Sequence, residues 1–112
     1  MEFQTSMSSR DRKLMADIKG YLGLSSDSEA ARVSVNVQYS HVMLDGGEVK
    51  RMPLEGERHI FTLRMSEDEK AKLVAVRQGY GLSSDAEAVR FSVERQWERT
   101  FGKEAPTQEK QG

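Results

Sequence analysis

Little in this chain is equipped for covalent chemistry. It has no Cys, which removes thiolate nucleophiles, disulfides and the common structural zinc sites. His41 and His59 show no ligand spacing, and no nucleophile–base pairing or phosphate-binding glycine loop is visible. A protein with no catalysis, metal or cofactor is expected. What remains is hydrogen-bonding chemistry, in two places. Polar and apolar residues alternate in EFQTSM (Glu2–Met7) and IFTLRM (Ile60–Met65). Serine pairs precede a carboxylate in GLSSDSEAARVSV (Gly23–Val35) and in GLSSDAEAVRFSV (Gly81–Val93). Such a serine ahead of a carboxylate is the start signal of a helix.

The two serine-rich stretches belong to a longer repeat. Gly23 and Gly81 lie 58 positions apart, and the same offset holds without a gap on both sides. Upstream it sets Met7-Ser8 on Met65-Ser66 and Phe3 on Phe61. Met15, Ile18 and Leu22 fall on Leu73, Val76 and Tyr80. Downstream, Gln38-Tyr39 falls on Gln96-Trp97, and Met43 on Phe101. Apolar positions that stay in phase over such a length indicate a shared architecture.

Each copy divides into three pieces. The extended segment comes first. In the second copy Phe61, Leu63 and Met65 share one face, while Ile60, Thr62 and Arg64 share the other. The first copy is weaker, because Thr5 dilutes the apolar phase that Phe3 and Met7 keep. A helix follows, announced by Ser8 with Asp11 and by Ser66 with Glu69 as capping boxes. Gly23 and Gly81 end it, since glycine takes the left-handed conformation at little cost. A second helix then starts, with Ser26–Glu29 and Ser84–Glu87 as further capping boxes. RVSVNVQYS (Arg32–Ser40) alternates with period two and, read alone, is a strand. Its counterpart RFSVERQWE (Arg90–Glu98) is not, so the shared cap and the gapless offset predict a helix in both.

At 112 residues the chain is one small domain or two units too small to fold apart, and a unit of about forty residues with one strand cannot bury a sufficient core alone. The pieces therefore predict an α+β, mainly helical fold: β-α-α twice, a two-stranded antiparallel ribbon over four helices. The expected division is 1–43, a connector at 44–58, 59–101, and a flexible tail at 102–112, the two repeats folding together. The connector, with a small hairpin at Asp45-Gly46-Gly47, spans at most roughly 50 Å at about 3.3 Å per residue. Apolar residues make up 37% and charged residues 31%, an ordinary soluble balance. No apolar run reaches the length of a membrane span, and MEFQTSMSSRDRK lacks a signal peptide's apolar stretch. A cytoplasmic protein without membrane contact is expected. The net charge of -1 means that any basic surface must be local.

Strand, capped helix, Gly-Leu-Ser turn and second helix together resemble the ribbon-helix-helix proteins, the Arc/MetJ type of DNA-binding fold. The likeness covers both copies and is strongest in IFTLRMSEDEKAKL followed by GLSSDAEAVRFSV. Members are usually homodimers with one motif per chain, so this sequence looks like a dimer joined into one polypeptide. Linkage replaces association with a high effective concentration.

The resemblance implies that the ribbon enters the major groove of duplex DNA and that Gln4, Ser6, Thr62 and Arg64 read base edges. Arg suits guanine, Gln suits adenine, and Ser or Thr serve either way. Glu2 and Ile60 hold the matching outer position, and Glu2 is at odds with a phosphate-flanked site. The resemblance also implies phosphate contacts at Ser25, Ser26, Ser83 and Ser84. Asp27 and Asp85 stabilise the helix starts but repel phosphate. Arg32 and Arg90 are expected in ion pairs or at the surface, and Tyr39 and Trp97 in packing. The implied function is sequence-specific DNA binding, as a transcriptional repressor, with two molecules able to sit side by side on a longer operator. Similar folds also serve as relaxosome accessory, partition and antitoxin proteins. The near-zero charge and weak first strand fit an alternative, a protein-interaction module that has lost DNA binding.

Overall fold

A computed structural model describes residues 2–45 and 58–102. The elements run β1 (Glu2–Ser8), α1 (Ser9–Leu22), α2 (Asp27–Asp45), β2 (Arg58–Arg64), α3 (Glu67–Gly79) and α4 (Asp85–Phe101). The fold is α+β and mainly helical, and the two strands pair antiparallel as one sheet. Helix and strand take up both ends of the span expected as connector, at Asp45 and Arg58. Of the hairpin expected at Asp45-Gly46-Gly47, Asp45 ends α2, and the two glycines lie outside the described residues, as does the tail beyond Gly102.

Local chemistry explains the helix boundaries. Ser8 caps α1 and Ser66 caps α3, each in a reciprocal box with Asp11 or Glu69. Gly23 and Gly81 adopt φ of 70° and 68°, so the chain reverses where a side chain would be strained. Both turns close with the same bond: the Leu24 N–H donates to the Lys19 carbonyl and the Leu82 N–H to the Arg77 carbonyl, each at 2.9 Å. Arg32–Ser40 lies wholly inside α2. Its Val-rich alternation yields to packing: Ala30, Ala31, Ser34, Val35 and Gln38 are buried, which is a helical spacing.

The ribbon's inner face covers the helices. Thr5, Met7, Leu63 and Met65 are buried on it, and Phe61 packs against the same core. From below come Leu14, Met15 and Ile18 of α1, Leu73 and Val76 of α3, and Ala88, Val89 and Val93 of α4. Positions 58 apart share these roles: Ser34 and Ser92 each donate to the carbonyl four residues earlier, at 2.7 and 2.8 Å. The match breaks at one end, where Tyr80 is buried but Leu22 is 41% exposed. Tyr80 accepts from Gln38 at 2.7 Å, and Gln38 in turn accepts from Arg99. Trp97 is buried and donates to Asp17 at 3.0 Å, while Tyr39 sits at the edge.

Close approach of α2 and α3 depends on Gly79. A methyl there would collide with Cγ2 of Val42, and β-branched valine has little rotamer freedom in a helix with which to move aside. Gly79→Ala should cost about 1–2 kcal/mol net, since overpacking outweighs the gain in helix propensity. Urea unfolding measures this, and Val42→Ala in the same chain should restore the loss. An unchanged midpoint in Gly79→Ala would contradict the close packing.

Candidate nucleic-acid interface

The register decides which side chains share the outer face. Glu2 pairs with Arg64, Gln4 with Thr62, and Ser6 with Ile60. Alternation along each strand sets these against the buried row of Thr5, Met7 and Leu63. Gln4, Thr62 and Arg64 are exposed, Ser6 is half-exposed, and Ile60 is 65% exposed. The four expected base readers thus lie together on one open face, with Ile60 among them.

Each strand is tied to the start of a second helix. The Arg32 guanidinium donates to the Arg64 carbonyl and that of Arg90 to the Ser6 carbonyl, both at 3.2 Å. These bonds are counterparts: Arg32 and Arg90 lie 58 apart, as do Ser6 and Arg64. They give both arginines a structural role, holding strand to helix, and neither stands on the ribbon's outer face. Ser28 adds a longer contact to the Thr62 carbonyl, 3.4 Å. The starts of α2 and α4 therefore flank the ribbon.

At those helix starts the serine pairs are engaged differently from expectation. Ser26 and Ser84 accept from the N–H groups of Glu29 and Glu87, each at 3.1 Å, as N-caps should. The return bonds do not go to the caps. The Glu29 carboxylate takes the N–H and hydroxyl of Ser25, both at 2.9 Å, and Glu87 takes those of Ser83 at 2.7 Å. The expected capping boxes are therefore half-formed. The serine before each cap offers one carboxylate oxygen two donors, and the glutamate reaches back four residues to take both. Ser25 and Ser83 consequently spend their donors within the protein. The next amides, from Ser26 to Ser28 and from Ser84 to Ala86, have no intrahelical acceptor by helix geometry. Any anion contact falls to them.

The first-turn carboxylates are matched by cations. Lys19 lies 3.4 Å from Asp27, and Arg77 and Lys70 lie 3.5 and 3.3 Å from Asp85. Lys19 and Arg77 again stand 58 apart, so each helix start carries the same pairing, which offsets the negative charge of these aspartates. Beside the start of α2, Ser9, Arg12, Lys13, Ala16 and Asp27 line an open depression. Arg12 and Lys13 are exposed there, with Lys13 3.5 Å from Asp17.

The Ser25 amide, and then its hydroxyl, hold the Glu29 carboxyl below its ordinary value of 4.5, with Arg32 adding to the effect. A carboxyl whose folded pKa is depressed adds stability above its unfolded value and loses it as pH falls through the folded one. Glu29→Gln should therefore lower stability at neutral pH, and the gap to the parent should close as pH drops below 4.5. Urea midpoints between pH 7 and pH 2 check this; a gap independent of pH would refute it.

Ile60 shares the outer face with the four expected readers, as its position in the alternation implies. The redirection of Glu29 and Glu87 was missed, and its signal was the serine four residues before each glutamate. Among the described residues no helix is long and apolar enough to cross a membrane. No family model, no curated protein and no solved structure matches this chain.

Proposed function

We propose that this chain is a ribbon-helix-helix pseudo-dimer that binds duplex DNA in a sequence-specific manner and acts as a transcriptional repressor. The single observation that carries this is the antiparallel ribbon with an open, polar outer face, flanked on both sides by helix starts. A two-stranded ribbon fits the major groove, and helix N-termini suit the phosphates on either side. The exchanged Arg32 and Arg90 bonds support a dimer-like arrangement of two linked halves. Gln4, Ser6, Thr62 and Arg64 are the base readers in this reading. The phosphate contacts move from the Ser25 and Ser83 donors toward the amides of the following turn.

Binding to duplex fragments of the protein's own locus, followed by fluorescence anisotropy, is the test. Affinity should fall steeply as salt rises, because phosphate contacts release counterions. Arg64→Ala should cost about 1–3 kcal/mol of binding and relax base preference. Absence of salt-sensitive binding to any fragment would remove this function. One observation favours the second reading, a protein-interaction module: Glu29 and Glu87 place carboxylates on the serines that a phosphate would otherwise use. Relaxosome, partition and antitoxin roles share the DNA-binding step and are separated by the identity of the bound fragment.

A further inference from the structure

The ribbon has two unlike ends. Under the 58-residue offset, the pair Glu2–Arg64 has Ser6–Ile60 as its counterpart, while Gln4–Thr62 is its own counterpart. The centre of the exchange therefore runs through Gln4 and Thr62. On one side stands Arg64, exposed and cationic. On the other stand Ser6 and Ile60, with Ile60 65% exposed. A paired dimer of identical chains would carry the same residues at both ends. Here Arg64 opposite Glu2 stands at one end, and a branched aliphatic group opposite Ser6 at the other.

Exposed apolar residues are common singly on surfaces, but the placement of Ile60 is specific. It lies on the outer row of a two-stranded sheet, opposite Ser6 and two residues from Thr62, both polar. Its own inner-row neighbours, Phe61 and Leu63, turn the other way into the core. In the major groove one base edge is apolar: the C5-methyl of thymine. Guanine offers the O6 and N7 acceptors that arginine meets in bidentate fashion. Each end pair lies two residues from the centre, roughly 6.6 Å at about 3.3 Å per residue. That is about two base-pair rises of about 3.4 Å.

Resting on the DNA-binding reading, we propose that Ile60 is a specificity residue that reads a thymine methyl, and that the ribbon binds a polar, non-palindromic site. The Ile60–Ser6 end faces an A·T pair and the Arg64 end faces a G·C pair, on opposite sides of the step met by Gln4 and Thr62. The orientation of the single chain on its site is fixed by this difference. A chain with two equal ends has no such preference.

The experiment selects duplexes from a random pool with the parent protein, then replaces thymines of the enriched duplex one at a time by uracil, which removes only the methyl. Uracil at one position should weaken the parent by about fourfold, the worth of one buried methyl, and should leave Ile60→Ala unaffected. Arg64→Ala should relax a guanine preference on the opposite side and leave the uracil effect intact. The urea midpoint of Ile60→Ala should stay close to the parent's, since that side chain is 65% exposed. A symmetric or absent preference overturns the inference, as does uracil tolerated everywhere or a uracil effect that persists in Ile60→Ala. These results leave salt-sensitive duplex binding, and so the proposed function, in place. Loss of all salt-sensitive binding by the parent overturns both.

Discussion

Leu63→Ala should lower the free energy of unfolding by about 2–5 kcal/mol, whereas Thr62→Ala should change it by less than about 0.5 kcal/mol. The two residues are adjacent on β2, and only the face they occupy differs. Leu63 is fully buried on the inner row, between the ribbon and the helices, and Thr62 is exposed on the outer row. Truncating a leucine there loses its transfer free energy and leaves a cavity that rigid neighbours fill only in part. The cost is large for a chain of this size, whose whole stability is on the order of 5–15 kcal/mol. The position 58 residues earlier is Thr5, also buried, whose hydroxyl finds no hydrogen-bond partner among the described residues. The first half of the ribbon thus contributes less to the core, and Leu63 carries more of it. Urea unfolding followed by far-ultraviolet circular dichroism measures both variants. Equal losses at 62 and 63 would mean that the two side chains do not occupy opposite faces of the ribbon.

Much of the architecture was legible because it was written twice. The 58-residue offset located four helix starts, two glycine turns and two strands. It also resolved Arg32–Ser40, whose valine alternation points to a strand when read alone. Ser34, Val35 and Gln38 show why helix wins: their burial follows a helical stripe against α3 and α4. The same repetition hid the differences between halves. Leu22 and Tyr80 occupy matching positions, yet only Tyr80 is covered, because Gln38 and Gly79 give it a partner and a close helix neighbour. No local pattern contains that information, since it depends on residues dozens of positions away. The outer ribbon face was readable from period-two alternation alone. The pairing register was not, and without it the centre at Gln4–Thr62 and the unlike ends could not be located. The serine pairs were readable as helix starts. Which donors Glu29 and Glu87 would take was a matter of side-chain reach, and it left the amides from Ser26 and from Ser84 onward as the ones without an intrahelical acceptor.

Arg90→Ala is expected to destabilise the protein by about 2–3 kcal/mol, and Arg32→Ala by about 1 kcal/mol or less, although the two make counterpart bonds. Arg90 is 8% exposed and lies among buried residues of α4, where its guanidinium supports the Ser6 carbonyl. Removing it takes away a charge-assisted hydrogen bond, leaves a strand carbonyl without that donor, and strips the packing of its aliphatic stem. Arg32 keeps 29% of its side chain exposed, and its partner Glu69 lies 4.0 Å away. Water can replace much of what Arg32 supplies. The consequence should be local as well as global. In Arg90→Ala, amide exchange should rise first in β1, whose Ser6 has lost its tie to α4. In Arg32→Ala the smaller rise should fall in β2, at Arg64. Arg90→Lys should recover little, because an ammonium is a point donor and lacks the planar fork that spans from helix to strand. Equal destabilisation by the two alanine variants, or exchange rising equally in both strands, would show that these bonds do not hold the ribbon to the helices. If the predicted split is found, the ties from helix to strand are what hold the ribbon in place, and under the proposed function a changed base preference in a variant that keeps those ties reports on recognition and not on folding.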